Sequence, residues 1–514
     1  MSAAEIQVSE STGARAGWWR GLALEGVRTL PIVALALANL IPGLLLGPAL
    51  DAAVFLLIGK GVSHGAMPYL GYWDHKPPGV YLLNAAGQAG LPWLDPWVVD
   101  WLLTLVATVI AVVILERLLR PRVGAAIALA VALACECIVT AYPIAIGGGY
   151  TESLALPLMV GGLFLLARGD HRARSLAAAG LVLAAGCLFS LQVLPGAAAI
   201  GLAMVVSTPR EMLRRIAPLA AAGLLLPLAA LAWLAWGGAL GAAVDQLVHY
   251  NSVYRTSGSS WIPADVVTEG IAAICLLLPV LVSCLRIVRG HLAVDRVSAA
   301  CLGWVAGFLA LVVYEQRLYP HYLILLAPAL AVIAAPSVAW FVASLRSPRP
   351  ALRRAGFSFL AITAVLVLML QAWSVEWLVI TAPRDSTWRT ETQSVTRWID
   401  SQTPESATVY VWGNHPELYL RFDRTPAQPY LYEFPLTTEG YWSPAATHDL
   451  VERWLQAGPD VIVEAPSSVP LSLPAIKTQD PRNYDSLAEL RTFIHDRYQL
   501  SLDQADLRVW RRLP

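Results

Sequence analysis

Charged residues are scarce in this chain: they make up 14% of its 514 residues, against 57% hydrophobic. A soluble domain carries about 25% charged and about 45–50% apolar residues. A soluble fold is therefore excluded and a polytopic membrane protein expected, in line with a mean hydropathy of +0.57. Charges of the two signs cancel, 36 Lys and Arg against 36 Asp and Glu, so no basic excess points to nucleic acid. Cysteine is sparse as well. Cys135, Cys137, Cys187, Cys275, Cys284 and Cys301 all lie in apolar stretches, where a thiol behaves as a small hydrophobe. Neither a disulfide framework nor a metal role for Cys135 and Cys137 is expected. Internal repeats and low-complexity linkers are missing, which withdraws support from a transporter built of inverted halves. A cleavable signal is not expected either: the first 28 residues or so are polar, with Arg15, Arg20 and Arg28, and the apolar span after them is too long for a signal core.

What the chain does have is long apolar runs and aromatic residues, with 19 Trp and 17 Tyr to anchor two lipid–water interfaces. A membrane helix needs about 20 mostly apolar residues. Such stretches fall at 30–50, 97–117, 122–141, 152–168, 175–190, 191–207, 216–237, 269–287, 298–315, 322–343 and 355–376. The pair over 175–207 is short for two crossings, with Gln192 and Pro195 at the expected turn. Arginine clusters at 15–28, 117–122, 168–174, 210–215, 286–296 and 346–354 all fall on one side when about eleven helices alternate. The excess of Arg assigns that side to the cytoplasm. The expected layout is a cytoplasmic segment over 1–29, a transmembrane module over 30–377 with a first outer loop at 51–96, and a small extracytoplasmic α/β domain over 378–514. The membrane is the inner, or plasma, membrane. Within the loop, Ala52–Lys60 and Val80–Gly90 read as short interfacial helices. In the tail, Val409–Trp412, Val461–Val463 and Leu507–Trp510 read as strands, with helices over 446–456 and 485–497.

Polar residues of chemical interest gather on the outer side. Asp51 follows a first helix that holds no other acid. It is either a hydrated helix end or a general base facing a loop site. Tyr72-Trp73-Asp74-His75-Lys76-Pro77-Pro78-Gly79 stands out in the loop. Its two prolines stiffen an extended backbone. Lys76 there suits a lipid phosphate, or pairs with Asp74 at the surface. Arg317, His321 and Tyr322 form a second polar group, read as phosphate ligands or as an interfacial belt. Tyr150 and Glu152 open a helix after Gly147-Gly148-Gly149, where a carboxylate is also explained by the helix dipole. Glu136 is an intramembrane acid without an assigned role, and Asp245, His249, Tyr254 and Arg255 sit in a further outer loop, lining a site or solvated.

These residues resemble the GT-C glycosyltransferases, and within them the bacterial relatives of protein O-mannosyltransferases and of the lipid A aminoarabinose transferase. The match rests on Asp51 at the outer end of the first helix, on Asp74-His75-Lys76-Pro77-Pro78-Gly79, and on Arg317 with His321-Tyr322-Leu323; Thr151-Glu152 is similar to the family pattern too. It covers roughly residues 30–345. The resemblance implies a GT-C membrane fold and an inverting transfer of a hexosyl or pentosyl group from a polyprenyl-phosphate sugar. The acceptor would be a lipid, glycan or protein outside the cytoplasm. It gives the base role to Asp51 and donor-phosphate contacts to Lys76 and Arg317, with His321 and Tyr322 beside them. Tyr72, Asp74, His75, Tyr150, Glu152 and Arg255 are expected to contact substrate or to support those that do. The chain departs from the pattern at Ala52 and His75, where relatives carry acids, and at Gln192, where they carry a basic residue. A divalent metal therefore stays open, with Asp74 and His75 as its candidate ligands. The competing class is a membrane transporter or lipid flippase, which calls for charged groups near the middle of several helices.

Overall fold

Apolar stretches of this length have no water to satisfy their backbone and so close their hydrogen bonds internally, as helices. The computed structural model describes residues 3–169, 172–206, 208–255, 266–317, 319–467 and 487–514. Its helices are α1 (Ala3–Leu46), α2 (Leu50–Ser63), α3 (Gly79–Gly90), α4 (Pro96–Val123), α5 (Ala125–Val139), α6 (Tyr142–Ala145), α7 (Thr151–Arg168), α8 (Ala173–Cys187), α9 (Val193–Val205) and α10 (Pro209–Trp236). They continue with α11 (Leu240–Val244), a π-helical turn (Asp245–Tyr250), α12 (Asn251–Tyr254), α13 (Val266–Val288), α14 (Arg296–Glu315), α15 (Tyr322–Ser344) and α16 (Pro350–Gln402). Each apolar stretch of the sequence is helical over most of its described residues. Among the described residues seven helices are long and apolar enough to cross a membrane, and Ala125–Val139, Ala173–Cys187, Val193–Val205 and Leu277–Val288 are shorter apolar helices.

Helix α15 is the centre of the bundle. It is buried along nearly its whole length, and α4, α5, α7, α13, α14 and α16 pack around it. Leu224, Leu225, Leu228 and Leu231 of α10, and Phe357, Val365 and Leu368 of α16, are exposed instead. Leucine left outside over whole helix faces is the signature of a lipid-facing surface. One end of the bundle is basic: Arg120 ties Glu116 to Glu25, and Arg122 at the end of α4 pairs with Asp295 at the start of α14. The opposite end of α14, and the starts of α7 and α15, carry the polar groups described below.

The C-terminal part adds β1 (Val409–Trp412), α17 (Glu417–Phe422), α18 (Phe434–Thr437), α19 (Pro444–Ala457), β2 (Val461–Glu464), α20 (Ala488–Arg497), β3 (Tyr498–Asp503) and β4 (Arg508–Arg512). The strands form one sheet in the order β1-β2-β4-β3, with β1 and β2 parallel and the other pairs antiparallel. Continuous apolar runs such as Val409-Tyr410-Val411-Trp412 mean a strand covered on both faces. Val409, Val411, Val461, Val463 and Val509 point to one side, where they share a core with Val395 and Ile399 of α16 and with Phe55, Trp73 and Tyr81 of the 51–96 loop. Tyr410, Trp412, Ile462 and Trp510 point to the other, onto Leu450 and Trp454 of α19 and Leu490 and Ile494 of α20. The C-terminal sheet and the first loop are thus one packed unit.

Two elements differ from expectation. Asp51 does not end the first helix: α1 stops at Leu46, Gly47 takes φ +101°, and Asp51 lies in the first turn of α2. A left-handed glycine followed by Pro48 breaks the helix and starts another. Strand β3 was not expected; Tyr498-Gln499-Leu500-Ser501-Leu502-Asp503 directly abuts α20 and is exposed along most of its length.

Candidate active site

Three segments, two of them in the first loop and the third some 240 residues further along the chain, meet at the polar end of the bundle and line a cavity of ≈ 650 Å³. The start of α2 supplies Asp51, the first loop Asp74, His75 and Lys76, and the α14–α15 turn Glu315, Arg317, Tyr319, His321 and Tyr322. Tyr150, Ser190 and Gln192 close it from the bundle, Tyr254 and Arg255 from the segment at the end of α12, and Tyr432 and Phe434 from the C-terminal part. Of the residues expected here, the cavity holds Asp51, Asp74, His75, Lys76, Tyr150, Arg255, Arg317, His321 and Tyr322. Glu152 is fully buried behind it, where it accepts from the Thr151 hydroxyl at 3.1 Å and from Ser190 Oγ at 3.4 Å. Tyr72 lies elsewhere. It packs on Gly61 and lines a separate cleft with Lys60, Arg389 and Arg421.

The loop that carries Lys76 is tied down at every residue. Asp74 is 3% exposed and accepts three hydrogen bonds, from Tyr81 Oη at 2.6 Å, Tyr432 Oη at 2.8 Å and the His75 amide at 2.8 Å. Its own N–H donates to Gln246 Oε1 at 3.1 Å, in the π-helical turn. The Trp73 amide donates to the Pro429 carbonyl at 2.8 Å, and the Lys76 carbonyl accepts from Tyr69 Oη at 2.8 Å. The Gly79 amide then donates to the Leu188 carbonyl at 2.8 Å. A Cβ there would sit 2.5 Å from that oxygen, so only glycine allows the approach. Gly147, Gly148 and Gly149 all have positive φ, and a Cβ on Gly149 would strike Ala52, next to Asp51.

Tyr432 and Phe434 were not anticipated. Tyr432 and Asp74 are 358 residues apart, and no local pattern announces the contact. Replacing Tyr432 by Phe removes one of three donors to a buried carboxylate, at a cost of about 1–3 kcal/mol. The expected result is a lower unfolding midpoint and a several-fold lower activity with the fold retained, read by thermal unfolding and by turnover on one preparation.

Burial raises the Asp51 carboxyl above its ordinary range, while Lys76 and His321 pull it down; Asp74 and Glu152 add to the rise. Burial alone would lower Lys76, but Glu152, Asp51, Asp74 and Glu315 together outweigh it and keep the ammonium charged. His75 is pushed down to about 3 by burial and by the charges of Lys76 and Arg317, so it is a neutral ring. His321 is also lowered by burial. It stacks between Tyr150 and Tyr319, with ring centroids at 4.5 Å and 5.5 Å. Arg317 lies flat on Tyr254, 3.6 Å from the ring centre, and donates to the Tyr254 carbonyl at 2.7 Å. Arg255 stacks on Tyr314. The cavity thus joins a raised carboxylate, a charged lysine and rigidly held guanidinium groups, the parts of an acid–base site that takes an anion.

For a metal the fit is poor. Both oxygens of Asp74 already accept hydrogen bonds, His75 Nδ1 lies 3.5 Å from one of them, and among the described residues no group of three or more His, Cys, Asp or Glu side chains could hold an ion.

No protein-family model matches this chain, and no curated protein does. Solved structures do. ArnT from Cupriavidus metallidurans, in a crystal structure bound to undecaprenyl phosphate, aligns with a TM-score of 0.59 at 14% identity, covering 94% of this chain and 97% of that one. The archaeal oligosaccharyltransferase AglB from Archaeoglobus fulgidus, in complex with an inhibitory peptide and a dolichol-phosphate, aligns with a TM-score of 0.51 at 12% identity, covering 87% and 70%. Both are glycosyltransferases of the GT-C fold, and ArnT is the lipid A aminoarabinose transferase. The likeness shows that this chain has the GT-C fold, and together with its apolar helices it makes the chain a multi-pass membrane protein.

Proposed function

We propose that the chain is a membrane glycosyltransferase that moves a sugar from a polyprenyl-phosphate donor to an acceptor outside the cytoplasm. One observation carries the reading: Asp51 and Lys76 of the first loop and Arg317, some 240 residues further on, line one cavity at the non-basic end of a GT-C bundle. The neighbouring structures with undecaprenyl phosphate and dolichol-phosphate support a lipid-linked donor. The basic end faces the cytoplasm, and the described C-terminal part beyond α16, packed on the first loop, covers the outer face of the catalytic module.

In this reading Asp51 takes the proton of an acceptor hydroxyl or amine as that group attacks the anomeric carbon. A bond forms from acceptor to sugar, and the sugar–phosphate C–O bond breaks with its electron pair leaving on the phosphate. Lys76 and Arg317 receive that charge. Asp51 is the single base and no covalent intermediate is called for, so the anomeric centre inverts.

The test is transfer of radiolabelled sugar from a panel of polyprenyl-phosphate hexoses and pentoses, in membranes with and without the protein. Protein-dependent transfer from one of them is expected, and none from any, with folded protein, overturns the reading. A pH profile adds a signature. A base works deprotonated, so a raised Asp51 pKa makes activity fall, with decreasing pH, at a higher value than an ordinary aspartate gives.

A further inference from the structure

One buried polar group in the cavity has no place in this chemistry. Gln192, just before α9, is 8% exposed and donates from Nε2 to Glu315 Oε2 at 3.3 Å. A carboxylate only accepts, so the amide must turn its nitrogen toward Glu315 and its oxygen away. That oxygen is buried and has no hydrogen-bond partner among the described residues. Buried acceptors are as a rule paired, and an empty one calls for an occupant. Glu315 is under-used too: its contacts from Gln192 and from Tyr322 Oη, at 3.4 Å, are both long, while a carboxylate offers about four acceptor positions. Gln192 and Glu315 line the same cavity as Lys76.

We propose that Gln192 and Glu315 form the subsite for the transferred sugar, accepting hydrogen bonds from its hydroxyl groups through the free Gln192 oxygen and the Glu315 carboxylate. The inference rests on the glycosyltransferase reading and deepens it. In the donor the phosphate is a diester, which carries no proton at neutral pH and offers only acceptors, so it cannot donate to these two acceptors; a sugar ring, rich in O–H donors, can. The cavity is then divided by chemistry, with cations for the phosphate at Lys76 and Arg317 and acceptors for the sugar at Gln192 and Glu315.

The experiment is equilibrium binding to the purified full-length chain of undecaprenyl phosphate and of undecaprenyl-phosphate hexoses and pentoses. It compares wild type with Gln192→Met, which keeps the shape, and Glu315→Gln. Each variant is expected to weaken the sugar-bearing lipid about 10-fold and to leave undecaprenyl phosphate within about twofold, which also reports a folded cavity. Equal losses for both lipids would assign the pair to the phosphate path or to the fold and overturn the subsite. No loss for either would mean that water fills the Gln192 oxygen, and the subsite would fall in that case too. Wild type that binds undecaprenyl phosphate but gains nothing from any sugar overturns the subsite alone. Wild type that binds none of these lipids overturns the glycosyltransferase reading together with it.

Discussion

Asp51→Asn is expected to lower kcat about 10²–10⁴-fold, the usual worth of a positioned general base. Asparagine has the same shape and fits the same first turn of α2, so the fold and the cavity should persist. The carboxylate stands close enough to Lys76 for each to shift the other's ionisation. Removing its charge leaves Lys76 freer for the donor phosphate, so donor affinity should hold or improve while turnover collapses. That split separates loss of a base from loss of a binding group. The acid limb of the pH profile should vanish with it. A variant with unchanged kcat would remove Asp51 from the chemistry.

Lys76→Met is expected to cost about 10²–10³-fold in kcat, the scale for one preorganised charge on a leaving group, and to weaken donor binding as well. Two effects add. The departing phosphate loses its ammonium, and Asp51 loses the strongest influence that holds its pKa down. The sign is fixed: without Lys76 the Asp51 pKa rises further, less of it is ionised at a given pH, and the acid limb moves up. The surviving activity of Lys76→Met should therefore recover partly at higher pH, which a purely structural lesion would not do. Unfolding midpoints of the two variants check the comparison, because Lys76 sits among Glu152, Asp51, Asp74 and Glu315, and its removal leaves those carboxylates uncompensated.

The membrane part is readable from sequence because its signal is redundant. A helix such as Tyr322–Ser344 is apolar over nearly its whole length, a signal strong enough to outweigh Pro328 and Pro336 within it. Short signals fare differently. Gly47-Pro48-Ala49 is a break of only three residues, too small to show against the apolar stretches around it, and so Asp51 reads as the end of the first helix when it opens the second. Asp74, Lys76, Arg317 and His321 stand out because charge in an apolar chain needs a reason. Their convergence on one cavity is not visible in the sequence, since nothing in spacing tells where loops about 240 residues apart meet, as the Lys76 and Arg317 segments do. Tyr432 is silent altogether. A tyrosine in the irregular stretch between α17 and α18 looks like any other until the sheet packs on the first loop and brings its hydroxyl to Asp74. Gln192 is legible only as a departure from the family pattern; its unfilled oxygen is a property of three-dimensional packing.

The most direct measurement is to place the lipid. A polyprenyl phosphate with a photoreactive diazirine on the isoprene unit next to the phosphate is bound to the purified protein, irradiated, and the labelled peptides are sequenced. Label is expected on the 69–79 loop, on residues 190–192 and on the 315–322 turn, and excess unlabelled polyprenyl phosphate should compete it away. Competable label confined to other faces of the bundle, or to the cleft at Lys60, Arg389 and Arg421, would mean that the donor binds elsewhere and that Asp51 is not its base.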